Sequence, residues 1–238
     1  MENTTRKLVV VTGGTKGIGR AILNKFAAAG FDVCTCARSQ KDLDKWKDET
    51  EQKFSVTAYA KSADMSVKSE VFGFVDFVNR LNRPVDVLVN NAGFFTPGMV
   101  TEEKDGALES MINANVYSAY YATRGLVEGM KKRKEGHIFN VCSIASIKAY
   151  PNGGSYAISK FAMLGLSKVL REELKPFSIR VTAVLPGATR TASWDGVDLP
   201  EERFMKVEDV ADTVFAAHQL SGRSVVEEIL IRPLLGDI

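Results

Sequence analysis

The chain has 238 residues, 45% hydrophobic and 25% charged, with 19 glycines and 7 prolines; this balance excludes disordered, collagen-like and coiled-coil classes and predicts one globular domain over residues 1–238. With 31 basic against 29 acidic side chains the formal charge is only +2, so no excess of cations is available to hold nucleic acid by counterion release.

The first apolar run, residues 8–11, is too short for a signal-peptide core or a membrane span, so a cytoplasmic protein without membrane partners is expected. Its sequence LVVV is apolar at every position, as a parallel strand buried on both faces should be. It enters Thr12-Gly13-Gly14-Thr15-Lys16-Gly17-Ile18-Gly19, a glycine-rich turn ahead of a predicted helix at 18–29. Glycines at 13, 17 and 19 let backbone approach a pyrophosphate, while the helix N-terminus offers unpaired N–H groups and a partial positive charge. A P-loop is excluded, because the closest fit puts Arg20-Ala21 where Lys-Ser/Thr is needed.

The second strand, 31–37, runs into Arg38-Ser39. In dinucleotide folds an acidic residue there bonds the ribose hydroxyl of NAD, whereas a basic one accommodates the 2′-phosphate of NADP, so Arg38 predicts NADP(H). Asp32, at the strand's other end, lies roughly 16 Å from the turn and cannot substitute. A helix (41–53), a strand (54–60), the segment Ala63-Asp64-Met65, a helix (67–81) and a strand (85–89) follow, the last leading to Asn90-Asn91-Ala92-Gly93.

A long helix is predicted at 112–132. It closes on Lys131-Lys132-Arg133-Lys134, cations that complement a helix's carbonyl end and could also dock an acidic carrier protein. A strand at 137–142 delivers Ser143, with Ser146 nearby, to the carboxyl edge where open α/β sheets bind ligands. The next helix, 156–174, presents Tyr156 and Lys160 on one face, one turn apart. A free phenol titrates near 10, and a neighbouring ammonium favours its ionised form, each tenfold gain in ionisation being worth roughly 1.4 kcal/mol. A strand (179–184), the segment from Pro186 to Thr191, a helix (207–220) and a strand (226–231) complete the chain. The alternation predicts an α/β fold: a Rossmann-type, doubly wound parallel sheet of about seven strands flanked by helices.

Other chemistries find no pattern. Cys34, Cys36 and Cys142 read as free thiols, and no Cys-x-x-Cys, His-Glu-x-x-His or Gly-x-Ser-x-Gly occurs, so neither a metal site nor a serine hydrolase is expected.

Thr-Gly-x-x-x-Gly-Ile-Gly, Asn90-Asn91-Ala92-Gly93, Ser143 thirteen residues before Tyr156, Tyr156-Ala157-Ile158-Ser159-Lys160 and Pro186-Gly187 together resemble the short-chain dehydrogenase/reductase family over about residues 7–232. The resemblance implies a nicotinamide-dependent oxidoreductase with Asn115, Ser143, Tyr156 and Lys160 as catalytic residues. It implies that Lys160 holds the nicotinamide ribose and that Asn115 binds a water linking Lys160 to solvent, with Asn113 the competing assignment. Gly13, Thr15, Lys16, Gly17, Ile18, Gly19, Arg38 and Ser39 would line the phosphate side of the dinucleotide, Lys16 facing the 2′-phosphate. Asp64 and Met65 would meet the adenine, unless Asp64 caps the helix that follows. Asn91, Ala92 and Gly93 would complete the cleft. Pro186 and Gly187 would form the wall behind the nicotinamide, and Thr189 and Thr191 would bond its carboxamide; Thr189 stands where relatives usually carry Val or Ile.

The C-terminal stretch from Val225 to Pro233 looks like the sepiapterin-reductase-like, carbonyl-reductase branch rather than the 3-oxoacyl-carrier-protein reductases. The expected activity is NADPH-dependent reduction of a small ketone or aldehyde. A planar or apolar substrate would suit Phe94, Phe95, Tyr150, Trp194 and Phe204, on the segments expected to frame the mouth. The alternatives are a 3-oxoacyl-carrier-protein reductase and an NADPH-binding regulator without catalysis. The family also implies a homodimer or homotetramer, here through Ala119, Tyr120, Ala122 and Thr123 on one long helix and Phe161, Leu164, Gly165 and Lys168 on the other.

Overall fold

Strand β1 (Leu8–Thr12) is buried along its whole length, as an unbroken apolar run between two layers of helices requires. In the computed structural model, which describes residues 6–194 and 196–238, it is an interior strand of one parallel sheet. Met1 to Thr5, counted within the expected domain, and Asp195 lie outside the described residues. The elements follow as α1 (Gly17–Ala28), β2 (Asp32–Ala37), α2 (Gln40–Phe54), β3 (Ala58–Ser62), α3 (Lys68–Arg80), β4 (Val87–Asn90) and α4 (Ala107–Ile112). After these come α5 (Ser118–Arg133), β5 (Gly136–Val141), α6 (Gly154–Leu174), β6 (Ile179–Pro186), α7 (Val207–Gln219) and β7 (Glu228–Ile231).

The seven strands run in the order β3-β2-β1-β4-β5-β6-β7, so the winding reverses between β1 and β4. Ligands bind outside the carboxyl ends of strands at such a reversal. Two apolar layers hold the sheet. On one face α1 and α7 pack through Ile22, Phe26 and Val214; on the other α3 and α5 pack through Phe74, Leu126 and Met130. Phe26 meets Phe31 and Phe215 edge to face, each at 5.1 Å between ring centres, an arrangement that adds about 0.5–1.5 kcal/mol per pair. No helix among the described residues is long and apolar enough to cross a membrane.

Two elements differ from expectation. The third strand begins at Ala58, not at Phe54, because α2 continues through Phe54 and stops at Ser55 in the left-handed conformation (φ 54°), its N–H on the Glu51 carbonyl. The long helix expected at 112–132 is three pieces: α4, a π turn (Asn113–Tyr117) and α5. In the π turn Ser118 N–H reaches back five residues to the Asn113 carbonyl, a local widening frequent at functional sites.

Candidate active site at the carboxyl edge of the sheet

The glycine turn after β1 is built around contacts that leave no room for side chains. Gly13 takes a left-handed backbone (φ 69°), and its N–H bonds the Cys36 carbonyl at 3.0 Å. Gly14 N–H donates to Thr35 Oγ1 (2.9 Å), which in turn donates to the Val11 carbonyl (2.7 Å), and a Cβ on Gly14 would overlap Thr35 and Leu23. A Cβ on Gly19 would lie 2.5 Å from Asn91 Nδ2 and 2.7 Å from the Gly13 carbonyl oxygen. Asn91 Nδ2 itself donates to the Thr12 and Gly13 carbonyls, while Thr12 Oγ1 accepts the N–H groups of Asn91 and Ala92. Strand β4's exit thus holds the turn open. No side chain caps the start of α1, which leaves its amino end available to an anion. The cradle fits a dinucleotide pyrophosphate.

Arg38 follows β2 directly, exposed, and its guanidinium makes no hydrogen bond among the described residues. Lys16 is equally open, with Nζ 3.8 Å from an Asp42 carboxylate oxygen. Ser39 Oγ caps α2 by accepting Asp42 N–H. Asp64 bonds Ser66 N–H (2.9 Å) and Ser66 Oγ (2.7 Å), whereas α3 starts after Val67, so Asp64 shapes the preceding turn rather than capping the helix. Burial would raise its pKa, but the Ser66 bonds and the Arg38 charge hold the carboxyl below its usual range. Thr15 and Met65 are buried, and Ile18 is half-buried.

Ser143, Tyr156, Lys160 and Asn115 converge at the ends of β4 and β5. Ser143 lies two residues beyond β5, where its Oγ accepts Ala145 N–H, while Ser146 Oγ turns back onto Ser143 N–H. Ser146 is thereby committed to the turn, and Ser143 is the hydroxyl beside Tyr156. Burial pushes the Tyr156 phenol above its ordinary pKa, and the Ser143 hydroxyl opposes this. The expected lowering by Lys160 is not found. Its ammonium donates to the Val141 carbonyl (2.9 Å) and lies 5.7 Å from the centre of the phenol ring, and burial lowers its own pKa. Tyr150, the neighbouring phenol, is pushed up to about 12 by burial and by Tyr156.

Asn115, inside the π turn, accepts Phe94 N–H (2.9 Å) and donates to the Phe94 carbonyl (3.1 Å) and to Ser159 Oγ (2.9 Å). Asn113 makes no such side-chain bond among the described residues, so Asn115 is the one joined to α6. Gly93 must be glycine here, since a Cβ would stand 2.5 Å from Asn115 Oδ1.

Pro186 ends β6, and Gly187 N–H donates to the Ile231 carbonyl at 2.8 Å, with Pro233 closing over it. Thr189 is buried and donates to the Gly187 carbonyl (3.0 Å). That bond accounts for a hydroxyl at this place. A Cβ on Gly17 would meet the Thr191 methyl at 3.3 Å, so Thr191 faces the glycine turn across the cleft.

The aromatic residues separate. Phe95 packs edge to face on Tyr156 (4.8 Å), Phe94 and Tyr150 keep 40% and 38% of their surface open while the rest is covered, and Trp194 covers Phe204 at 5.2 Å. Phe204 is only 7% exposed and belongs to the base of this loop, which corrects its expected place in the mouth. Beside Tyr150 a cleft of about 570 Å³ is lined by Met99, Val100, Ile158 and Phe161. The basic run lies elsewhere. Arg133 ends α5 with its guanidinium on the Val85 and Gly129 carbonyls, and Lys131 pairs with Glu128. The run immediately precedes β5, roughly 20 Å from Ser143 at strand geometry.

Three contributors escaped the sequence reading: Gly14, Thr12 and Glu103, which accepts both the N–H and the hydroxyl of Ser155. Thr12 and Gly14 sit within a motif whose other glycines carry the recognisable spacing. Glu103 stands in Glu102-Glu103-Lys104-Asp105, whose composition reads as a solvated loop.

Residues 7–201 match the family model described as short chain dehydrogenase. Sepiapterin reductase from Chlorobaculum tepidum is 32% identical over 241 residues, spanning 98% of both chains. Among solved structures, the alcohol dehydrogenase of the archaeon Thermococcus sibiricus, complexed with 5-hydroxy-NADP, superposes with a TM-score of 0.90 at 27% identity and 97% coverage of both chains. The 3-oxoacyl-[acyl-carrier protein] reductase of Brucella melitensis follows the same fold with a TM-score of 0.86 at 26% identity, covering 95% of this chain and 90% of the other.

Proposed function

The chain belongs to the short-chain dehydrogenase family, and from that premise we propose that it is an NADPH-dependent carbonyl reductase acting on a small ketone or aldehyde with a planar or apolar body. The observation that carries this reading is the convergence of Ser143, Tyr156, Lys160 and Asn115 beside a glycine cradle fitted to a dinucleotide.

When bound, the reduced dinucleotide supplies a hydride equivalent to the carbonyl carbon. Gly13, Gly17, Gly19 and the open end of α1 would hold its pyrophosphate, Arg38 and Lys16 its 2′-phosphate, and Pro186 to Thr191 its nicotinamide end. Ser143 orients the substrate oxygen by donating a hydrogen bond. Tyr156, a phenol protonated at neutral pH, gives its proton to that oxygen, which becomes the hydroxyl of the product alcohol. Lys160, 5.7 Å from the centre of the Tyr156 ring, would hold the nicotinamide ribose, and Asn115 fixes the loop and helix between which this occurs. Proton donation of this kind contributes ~10²–10⁴-fold in rate.

Cofactor choice gives a first test. A phosphate dianion beside two open cations is stabilised by charge-assisted bonds that a ribose hydroxyl cannot match, so NADPH should bind at least ~10-fold more tightly than NADH, about 1.4 kcal/mol. Arg38→Asp should erode that preference in a fluorescence titration. An unchanged ratio would clear Arg38 of the role.

The substrate class is supported by Phe94 and Tyr150, aromatic side chains open to solvent on the segments that follow β4 and β5. NADPH consumption against diketones, quinones, pteridines and acetoacetyl thioesters tests it. Diketones or pteridine-like ketones should outperform an acetoacetyl carrier protein. Faster turnover of the carrier-bound thioester, abolished by neutralising Lys131 to Lys134, would establish the acyl-reductase reading instead.

We also propose a cytoplasmic homodimer or homotetramer paired through α5 and α6. Ala119, Ala122, Thr123 and Leu164 pack inward and cannot contribute, whereas Tyr120, Phe161, Gly165 and Lys168 remain on the surface with Ile158 and Val169. Light scattering on the assay preparation should give two or four times the 26.1 kDa chain mass.

A further inference from the structure

We propose that Glu103 is a positioning residue for this reaction, clamping loop 94–106 onto the amino end of the helix that carries Tyr156. The role rests on the carbonyl-reductase reading and deepens it.

Helix α6 begins at Gly154 with Gly153 at its N-cap, glycines that have no side chain to bond the free N–H groups, and no local side chain does so. The cap comes from 52 residues away: Glu103 Oε1 accepts Ser155 N–H at 2.9 Å and Oε2 accepts the Ser155 hydroxyl. A carboxylate at a helix amino end meets both its unpaired N–H groups and its positive dipole. The surrounding backbone is shaped to admit it. Gly154 has φ 33°, and a Cβ there would overlap both Glu103 Oε1 and the Gly98 carbonyl; a Cβ on Gly98 would lie 2.7 Å from Glu103 Cγ. Gly98 N–H donates to the Asn152 carbonyl at 3.0 Å, closing the knot.

The same loop is tied at its other end, where Asn115 holds both backbone groups of Phe94 and bonds Ser159. Its two anchors are therefore Ser155, immediately before Tyr156, and Ser159, almost a turn after it. Between the anchors Phe95 rests on the Tyr156 ring. Releasing Glu103 frees one end of this brace, so Phe95 and the first turn of α6 can shift and carry the phenol away from Ser143. Among the described residues the side-chain hydrogen bonds of Glu103 go to Ser155, outside the phosphate cradle built from β1, α1 and the exit of β4.

Steady-state kinetics with the best panel substrate, NADPH titration and amide hydrogen exchange test the clamp together. Glu103→Ala should lower kcat about 10-fold or more, since small displacements of reacting groups are costly, and should raise the carbonyl KM. NADPH affinity should stay within about two-fold, with faster exchange confined to 94–106 and the first turn of α6. Glu103→Gln keeps an acceptor for Ser155 N–H and can donate to its hydroxyl, so kcat should return to within about three-fold of the parent. Gly154→Ala should reproduce the Glu103→Ala loss by wedging the knot apart. Wild-type kcat and KM in Glu103→Ala would overturn the inference. So would a parallel fall in kcat, NADPH affinity and protection across the whole chain, which marks general loosening. If the parent enzyme reduces no carbonyl on the panel, the reductase reading fails, and exchange at Ser155 and 94–106 alone decides whether Glu103 clamps the loop.

Discussion

Tyr156→Phe should cut turnover by ~10² or more while NADPH still binds with nearly its parental affinity. The substitution removes one hydroxyl and keeps the ring, so Phe95 retains its edge-to-face partner and Lys160 retains its bond to Val141. What is lost is the acid that meets the developing alkoxide. Retained turnover would refute the assignment. The pH dependence has a definite sign: burial holds the phenol above its ordinary pKa, so the proton is present throughout the neutral range. Carbonyl reduction should therefore run flat through neutral pH and fall only on the alkaline side, where the donor ionises. Oxidation of the corresponding alcohol needs the phenolate and should rise over that same alkaline range. A reduction rate that falls on passing from pH 6 to 8 would place the controlling proton on another group.

The second large effect is expected at the cradle. Gly19→Ala puts a methyl 2.5 Å from Asn91 Nδ2 and 2.7 Å from the Gly13 carbonyl oxygen. Asn91 cannot swing aside without giving up its bonds to Thr12 and Gly13, and the carbonyl oxygen is backbone. Helix α1 must then withdraw from the turn. Overpacking of this kind costs about 1–3 kcal/mol, and if it falls on the bound geometry NADPH affinity drops by roughly 10- to 100-fold. Gly73→Ala is the matched control: nothing lies within 4 Å of its added Cβ, and alanine in a helix interior gains up to about 1 kcal/mol over glycine. Unchanged NADPH affinity in Gly19→Ala would show that the cradle yields.

The parts legible in the sequence were those governed by burial and local chemistry. LVVV could only be an interior strand, and a basic residue straight after β2 can be read without coordinates. Tyr156 and Lys160 share a helix face by spacing alone, but which way the ammonium turns is decided by the Val141 carbonyl, a contact across 19 residues. The start of β3 was obscured because α2 ends on Ser55, a serine in a conformation usually signalled by glycine or asparagine. Phe204 could not be placed because an aromatic residue in an irregular segment carries no periodicity to say which side is covered. Glu103 was hidden for the opposite reason: a charged run looks solvated until a helix start 52 residues away is brought against it.

The π turn at Asn113–Tyr117 holds one residue more than a regular α-helix of the same reach. Deleting a single residue there would let α4 and α5 fuse into an uninterrupted helix with ordinary pairing along its length, a more comfortable local chain. The deletion would also abolish the widened turn that presents Asn115, detaching it from Phe94 and Ser159. Shortening by one residue is thus a mutational exit that preserves the scaffold and extinguishes the chemistry. Inactive descendants of this sequence are to be sought as one-residue gaps in this helix as much as by the loss of Tyr156.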